Sequence, residues 1–372
     1  MRKVGVLFPL SGRSIDNIHH NNKKEPKDFY YGIDKVMEKN NHEIEVCFIE
    51  SRMSSKKIFE KIDILLNRLI NRVFRFKFSE SRVKLVKKKI DACDIVISFT
   101  DSGSLSLGNL RKIISSKTML VGGFHGLSDS ILDVPLIVRE NYKLKIFKSL
   151  SNLDHIFFFG ENDRKNCIKL FNLDENKTSI FRHGVDTNFW CPNDNLKPGK
   201  HILSIGSDPR RDYKTLILAQ NKYEVKILTK IDLRKFSRFK HFSIIKGSFH
   251  DKGITNLELK NMYNSANIVV VPIKNVLQPS GYSVTLQALA CGKVVILPDF
   301  RGLWDRDCFK HLKNCVLYKP EDPDSLGKMI TNVIENDKLK QEISINARSL
   351  AIEKFDLNRT YTDFLNLTKI IK

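Results

Sequence analysis

The sequence lacks the features that mark several common classes of protein. No apolar run approaches the roughly 20 residues that a membrane-spanning helix needs. The basic and apolar start, MRKVGVLFPLSG, has no small-residue cleavage site, so it predicts a first β-strand and not a signal peptide. We therefore expect a cytoplasmic protein.

Clustered cysteines are also absent. The chain has seven cysteines, no CxxC pair, and no histidine near them at zinc spacing. This scatter argues against a disulfide framework or a zinc site and predicts buried, inert thiols. The seven positions are Cys47, Cys93, Cys167, Cys191, Cys291, Cys308 and Cys315.

Acidic residues are few for the number of basic ones. Against 63 Lys and Arg stand 42 Asp and Glu, a net charge of +21. Such an excess suits nucleic acid, an anionic membrane surface or a phosphorylated substrate, and a biased genome composition would also produce it. The total charge does not choose among these explanations, but its distribution along the chain can.

One basic stretch, residues 51–90, holds thirteen Lys and Arg against three acidic residues. Its apolar residues recur at intervals of three and four, which predicts a helix with one apolar face. Either the helix packs on the sheet, or residues 56–90 dock on anionic lipid as a basic amphipathic helix. Nucleic acid is not expected, because no recognisable binding module surrounds the stretch. The periodic residues are Phe59, Ile62, Leu65, Leu66, Leu69, Val73 and Phe76.

The rest of the chain alternates between strand-like and helix-like segments. This alternation over 372 residues predicts two α/β domains with parallel sheets. A stretch rich in Asp, Asn, Pro and Gly, residues 179–200, predicts the linker between them. The predicted strands are Lys3–Phe8, Glu43–Ile49, Ile95–Phe99, Thr118–Gly122 and Asp154–Phe159, then residues 201–206, 223–229, 241–247 and 267–272.

The segment Val269–Asp305 carries the clearest sign of chemistry. It predicts a buried strand, a polar loop with Ser280 and Gly281, a helix that stops at Gly292, and a second buried strand. A small-residue turn before a helix offers free backbone N–H groups and the positive end of the helix dipole. The loop is therefore predicted to bind phosphate.

Three signatures in order resemble the retaining GT-B glycosyltransferases usually called family 4. HGVDTNFWCP (183–192) is similar to the segment that leads into the second domain of that family. ILSIGSDPRRDYKTLILA (202–219) is similar to the segment that opens the second domain. VVVPIKNVLQPSGYSVTLQALACGKVVIL, from Val269, is similar to the donor-binding segment. The resemblance covers nearly the whole chain and is strongest in its second half.

The resemblance implies a donor site in the second domain. Arg211 matches the basic residue that contacts the donor diphosphate, after the strand that ends at Gly206. Family members usually carry a second arginine directly after that glycine. Ser207 and Asp208 stand there instead, and compensation by the nearby Arg210 is a hypothesis. The loop and helix start expected to hold the phosphates are formed by Ser280, Gly281, Tyr282, Ser283 and Val284.

The chain departs from the family at two glutamates. Pro279 or Ser280 occupies the place of the first, and Gln287 stands where the second usually binds the donor ribose. An amide can still hydrogen-bond a diol, without the charge assistance of a carboxylate. The resemblance also implies sugar contact by His125 past a strand end, diphosphate contact near Gly12, and nucleobase contact at Phe249.

The resulting prediction is an α/β GT-B fold of two Rossmann-like domains that face each other across a cleft. We expect an acceptor domain at 1–192, a nucleotide-sugar domain at 200–350, and a helix at 351–372 that returns to the first domain. His125 and Arg211 are the predicted catalytic residues. No cofactor is expected beyond the nucleotide sugar, and no metal, because no DxD motif sits at a strand end.

The predicted reaction moves a sugar from a nucleoside-diphosphate sugar to a glycan or lipid-linked acceptor, with retention, at the inner membrane face. Two alternatives remain open at this stage. One is a nucleotide-sugar epimerase of the same fold. The other is a catalytically weak sugar-nucleotide-binding homologue, which the two missing glutamates would explain.

Overall fold

The computed structural model describes residues 1–8, 25–38, 43–50, 58–196, 199–219, 222–247 and 254–370. The chain divides into two compact units. Unit 1 consists of Met1–Asn21, Tyr30–Arg182 and Thr360–Lys372. Unit 2 consists of Asn22–Phe29 and His183–Arg359.

Unit 1 contains a six-stranded parallel sheet in the order β2-β1-β3-β4-β5-β6. Side chains alternate across β1: Val4 and Val6 enter one apolar core, and Leu7 enters the core on the opposite face. Helices cover both faces, so the strands read as continuous apolar runs. The strands are β1 (Arg2–Phe8), β2 (Ile44–Glu50), β3 (Ile95–Ser98), β4 (Met119–Phe124), β5 (His155–Phe158) and β6 (Thr178–Ile180).

The helices of unit 1 connect these strands and close its chain. The final helix contributes Phe364 and Leu367 to the same core as Val4 and Val6. Its position in unit 1 is fixed further by Asp363, which accepts hydrogen bonds from the backbone and guanidinium of Arg182. The helices are α1 (Ile33–Glu38), α2 (Ile58–Phe74), α3 (Glu80–Leu85), α4 (Lys87–Asp91), α5 (Asp101–Asn109), α6 (Leu127–Leu132), α7 (Leu136–Ser151) and α8 (Glu161–Phe171).

Unit 2 contains a second six-stranded parallel sheet, in the order β12-β11-β10-β7-β8-β9. In chain order this is a doubly wound sheet, and its order reverses between β7 and β10. The strands are β7 (Ile202–Ile205), β8 (Val225–Thr229), β9 (Phe242–Lys246), β10 (Ile268–Val270), β11 (Val295–Pro298) and β12 (Val316–Tyr318). The helices are α9 (Tyr213–Ala219), α10 (Asn256–Ser265), α11 (Tyr282–Ala290), α12 (Pro323–Ile334) and α13 (Asp337–Lys354), followed by α14 (Leu357–Thr368), which ends in unit 1.

The predicted two-domain α/β fold is confirmed, and two strands were missed. β6 falls at the start of the stretch that we interpreted as a linker, and β12 lies beyond the last predicted strand. Each has only three residues, too few to produce a recognisable period.

The observed division of the chain differs from the boundaries expected at 192, 200 and 350. Residues 183–192 belong to unit 2, because Val185 donates its backbone N–H to Phe355 and Arg348 donates to the Trp190 carbonyl. The return to unit 1 comes at Thr360. A short early segment, Asn22–Phe29, also belongs to unit 2, which the sequence did not suggest.

Helix α2 does not follow the first of the two alternatives, in which its periodic apolar face packs on the sheet. Phe59 is 86% exposed and Leu65 is 64% exposed. The partly buried side is mixed: it carries Ile64, Asn67, Asn71 and Phe74, and Asn71 donates to the Phe78 carbonyl and to Asn67. The helix ends at Phe74, where Arg75 adopts a positive φ of 58°. Its preceding residues, 51–57, lie outside the described part of the chain.

The expectation of buried thiols holds for four cysteines: Cys93, Cys167, Cys291 and Cys315. Cys47, Cys191 and Cys308 are only partly buried. Cys47 on β2 and Cys93 after α4 lie with their sulfur atoms 3.2 Å apart, and hydrogen bonding with Cys93 lowers the pKa of Cys47 to about 7, although partial burial opposes the shift.

No helix in the described ranges is long and apolar enough to cross a bilayer.

Candidate functional site

The site in unit 2 forms where the order of the sheet reverses. β7 ends at Ile205 and leads into Gly206, and the neighbouring β10 ends at Val270 and leads to the loop before α11. Ligands of open parallel sheets bind at the carboxyl ends of strands on either side of such a reversal. The loop after β7 and the loop before α11 are therefore where a ligand is expected to bind.

Arg211 is a buried cation at this reversal. Its backbone is fixed on both sides: Arg211 forms an isolated antiparallel bridge with Ile273, and Asp212 donates its N–H to the Pro272 carbonyl. Asp212 then caps α9 by accepting the N–H of Thr215. The loop is thus anchored before the helix begins, which leaves little freedom in where the Arg211 side chain starts.

The guanidinium of Arg211 has unmet hydrogen-bonding capacity. Nε and Nη1 are buried and have no hydrogen-bond partner among the described residues. Within the described ranges no carboxylate forms an ion pair with Arg211 either. A buried charge without a partner is costly, and an unsatisfied buried donor in a native structure calls for a ligand or an ordered solvent molecule. The expected ligand is an anion.

Two glycines make room for this guanidinium. A Cβ atom on Gly206 would lie 2.1 Å from Arg211 Nε, and one on Gly281 would lie 2.9 Å from Nη1. Both glycines also have positive φ angles, of 148° and 81°, that side chains rarely adopt. Glycine is therefore favoured at both positions by backbone conformation, and any other residue would have to displace the guanidinium of Arg211. The predicted roles of Gly206 and Gly281 as ligand contacts remain predictions.

A carboxylate joins the two loops next to Arg211. Asp208 accepts the Ser280 hydroxyl and the Gln278 amide on one oxygen, and the backbone N–H of Arg210 on the other. The Ser280 hydroxyl is thereby occupied in the described structure. Sequence reasoning noted Asp208 only as a missing arginine, whereas here it links the loop after β7 to the loop before α11.

Helix α11 points its N-terminal end at this loop. Gly281 is its N-cap, and the first N–H groups of a helix have no partner within it. Val284 is buried in the core of unit 2, so only its backbone can serve a ligand. Tyr282 packs on His183 and Trp304, with ring centroids 4.5 and 6.2 Å apart. Ser283 is partly exposed at the same end. This arrangement can hold a phosphate between a helix N-terminus and Arg211.

Gln287 lies deeper than its predicted role suggests. Its side chain is buried, its carbonyl accepts the Tyr263 hydroxyl at 3.1 Å, and its amide donates to Asp28 at 2.9 Å. Both ends of the amide are thus engaged inside unit 2. Contact with a donor ribose remains a prediction, for which the amide keeps its second N–H and its second carbonyl lone pair.

Asp28 is the residue that sequence reasoning missed. It lies in the early segment that belongs to unit 2, and its carboxylate accepts hydrogen bonds from Gln287, from the indole of Trp190 at 2.7 Å, and from the backbone of Asp186 at 2.6 Å. Burial raises the pKa of Asp28 to about 7, and the negative charge of the nearby Asp186 raises it further. The three hydrogen bonds that Asp28 accepts oppose this rise. No motif pointed to Asp28, because its partners lie about 160 and 260 positions later in the chain.

Unit 1 has its own strand-end cluster around His125. His125 follows β4, as predicted, and its ring stacks on Phe159 with centroids 3.9 Å apart. Asp101, at the start of α5, accepts the His125 backbone N–H at 2.8 Å and the Lys77 ammonium at 2.9 Å. Burial tends to raise the pKa of Asp101, but Lys77 and His125 outweigh it and hold that pKa well below its usual range. The charges of this cluster are therefore matched.

Two predicted site residues cannot be placed. Gly12 and Phe249 lie outside the described residues, so the expected diphosphate and nucleobase contacts there remain predictions.

Comparisons with known proteins agree with the fold and with part of the sequence. A family model described as glycosyl transferases group 1 matches residues 247–350. A glycosyltransferase of Methanocaldococcus jannaschii described as uncharacterized is 31% identical over 112 residues, which are 30% of this chain and 27% of that protein. The match therefore spans about a quarter of that relative.

Solved structures match over the full chain. Sucrose-phosphate synthase of Thermosynechococcus elongatus has a TM-score of 0.69 at 14% identity, covering 99% of this chain and 98% of the other. HepE of Anabaena, crystallised with UDP-glucose, has a TM-score of 0.65 at 14% identity, covering 100% of both chains. At this identity the likeness establishes the fold.

The two doubly wound units and these matches define the class: the protein has the GT-B fold of nucleotide-sugar glycosyltransferases. Residues 247–350, which include α11, match the family model of glycosyl transferases group 1, and this similarity is confined to unit 2.

Proposed function

We propose that the chain transfers a sugar from a nucleoside-diphosphate sugar to a glycan or lipid-linked acceptor, with retention, in the synthesis of cell-surface polysaccharide or glycolipid. Unit 2 would bind the donor and unit 1 the acceptor. The observation that supports the proposal most directly is Arg211, a buried cation beside the N-terminus of α11, two of whose nitrogens have no partner among the described residues.

Arg211 supplies what a leaving diphosphate needs. Negative charge grows on the diphosphate as the glycosidic bond breaks, so a fixed cation in a dry site stabilises the transition state more than the bound donor. The backbone N–H groups at Tyr282 and Ser283 would share that charge. In this scheme no divalent cation is needed. Loss of transfer in EDTA and its recovery with magnesium would show the scheme to be wrong.

The first experiment identifies the donor. A thermal-shift panel of nucleotide sugars is informative because a ligand at 100 times its dissociation constant adds about 2.7 kcal/mol to the free energy of unfolding. UDP-glucose is the first member, since HepE of Anabaena was crystallised with it. Calorimetry then compares the best donor and its nucleoside diphosphate on three proteins: the unaltered chain, Arg211→Ala, and Arg234→Ala.

Arg234→Ala is the matched control, because Arg234 is an exposed arginine of unit 2 that pairs with Asp232. We expect Arg211→Ala to weaken nucleoside-diphosphate binding by about 2–3 kcal/mol, and to lower the transfer rate by about 10²–10³. Arg234→Ala should change neither. Unchanged diphosphate binding in Arg211→Ala would show that Arg211 does not contact the diphosphate, and the proposal would lose its main support.

The predicted catalytic role of His125 is part of the same proposal. Its ring is held by Phe159 and Asp101, with part of the side chain exposed, so it can present a nitrogen to a sugar hydroxyl without reorganisation. His125→Ala should then lower the transfer rate while nucleoside-diphosphate affinity stays unchanged. Equal losses of both would indicate a role other than contact with the transferred sugar.

One observation favours a second candidate function, a catalytically weak protein that binds sugar nucleotides. Gln287 is buried and both ends of its amide are engaged by Asp28 and Tyr263, which leaves only one N–H and one carbonyl lone pair for the ribose. The donor screen separates the two candidates, because hydrolysis of, or transfer from, any nucleotide sugar excludes the weak homologue. Tight binding without turnover would support it.

A further inference from the structure

Helix α2 is turned the opposite way from an ordinary surface helix. In a globular protein the apolar stripe of a helix faces the core. Here the partly buried side carries only Asn67 and Asn71 with the apolar Ile64 and Phe74. Seven large apolar side chains lie on the outward side: Phe59, Ile62, Leu65, Leu66, Leu69, Ile70 and Val73.

The cations of α2 are arranged beside this outward face, on the edge opposite Asp63. Lys61, Arg68 and Arg72 are spaced by seven and four residues, which places them along one edge of the apolar face. A helix with an apolar face and a cationic edge lies in the plane of a bilayer, with its apolar side at the acyl boundary and its cations at anionic headgroups. The same chemistry does not suit a basic second copy of this chain, which carries a net charge of +21.

A cavity of about 320 Å³ lies against α2, at the edge that carries Arg68. Its lining includes three cations, Arg68, Lys77 and Arg82, and the hydroxyl residues Ser79 and Ser102. Lys77 in turn holds Asp101 beside His125. A lipid phosphate at the level of α2 would meet Arg68 and Arg82 in this cavity, because Lys77 is paired with Asp101 and the Ser79 hydroxyl donates to the Ser102 carbonyl.

We propose that unit 1 docks on an anionic bilayer through the outward face of α2, and that the cavity beside α2 binds the phosphate of a lipid headgroup. This membrane proposal adds a docking surface to the proposed function. It rests on the proposed function only in taking the lipid to be the carrier of the acceptor. Membrane binding itself needs no sugar donor. The interaction can therefore fail while the donor site stands, and the reverse.

The first test measures flotation of the full chain with phosphatidylcholine vesicles and with phosphatidylcholine–phosphatidylglycerol vesicles, without nucleotide sugar. The variant is Leu65→Ser/Leu69→Ser. The matched control is Ile345→Ser/Ile352→Ser, because these residues are exposed apolar side chains on α13 of unit 2, seven residues apart on one helix. All the substituted side chains are exposed, so folding should be retained, and equal unfolding temperatures check this.

We expect the unaltered chain to prefer the phosphatidylglycerol vesicles, the α2 variant to lose at least about ten-fold in binding, and the α13 variant to lose nothing. Equal binding by the unaltered chain and the α2 variant would overturn the proposal. Self-association that Leu65→Ser/Leu69→Ser abolishes, without vesicle binding, would also overturn it in favour of a second copy.

Two double variants, each lacking two cations, test the cavity separately. Arg68→Gln/Arg82→Gln removes two cavity cations, while Lys61→Gln/Arg72→Gln removes two cations of α2 that do not line the cavity. Each lost cation should weaken binding to anionic vesicles by about five-fold. Glycerol 3-phosphate should compete with vesicle binding of the Lys61/Arg72 variant and leave that of the Arg68/Arg82 variant unchanged. Equal competition in both would remove the cavity from the proposal.

Discussion

The strand-end sites of the two units differ in whether their buried charge has a partner. In unit 1 the anion Asp101 is matched by Lys77 and by the backbone of His125. In unit 2 the cation Arg211 lies between two glycines, with two nitrogens unpartnered among the described residues. A satisfied cluster stabilises the apo protein, whereas an unsatisfied one stores the capacity to bind an ion. The predictions below test that difference.

The largest expected effect comes from removing the unsatisfied cation. Arg211→Met should lower nucleoside-diphosphate affinity by about 10²-fold and, at the same time, raise the free energy of unfolding of apo unit 2 by about 1–3 kcal/mol. Both tryptophans, Trp190 and Trp304, lie in unit 2, so tryptophan emission during urea unfolding reports this unit alone. A destabilised apo protein would show that Arg211 already has the partner it needs.

The second prediction concerns the buried carboxylate of unit 2. Because the pKa of Asp28 is raised from 3.8 to about 7, its contribution to stability is complete below the unfolded pKa and is lost as the pH rises through about 7. The free energy of unfolding of unit 2 should therefore increase by a few kcal/mol from pH 8 to pH 5, relative to Asp28→Asn.

Asp28→Asn is the matched control, since an amide of the same shape carries no titratable group. Tryptophan emission is again the readout, and Trp190 donates directly to Asp28. Parallel pH profiles for the two proteins would show that Asp28 keeps an ordinary pKa in the folded state.

The third prediction breaks the matched cluster of unit 1. Asp101→Ala leaves the Lys77 ammonium without its partner, and breaking a buried ion pair costs about 3–5 kcal/mol. Because the Lys77 side chain is 37% exposed, solvent screening reduces the expected loss to about 1–2 kcal/mol. The loss should appear in circular dichroism and leave the unfolding transition of tryptophan emission unmoved. A shift in tryptophan emission would place the effect in unit 2.

These contrasts show what the sequence can and cannot predict. That Arg211 and Gly281 lie near each other could be predicted because short motifs fix their positions relative to a strand end and a helix start, while their contact with a donor remains a prediction. Asp28 was missed because its three partners are distant in sequence, and only the fold brings them together. Periodicity likewise identified the apolar face of α2 but not its direction, because a helical period defines a face and says nothing about what covers it.

The smallest expected effect tests the space around Arg211. Gly281→Ala puts a methyl group 2.9 Å from Nη1 on a residue with a φ of 81°, so it should destabilise unit 2 by about 1–2 kcal/mol and displace the guanidinium. Gly292→Ala is the matched control: its φ is 65°, but its nearest neighbour, Pro192, would lie 3.3 Å away. Both variants should lose similar stability from backbone strain, and only Gly281→Ala should also lose nucleoside-diphosphate affinity in calorimetry. Equal affinities would mean that the position of the guanidinium does not depend on the small residue at 281, and the contrast between the two units would then rest on charge alone.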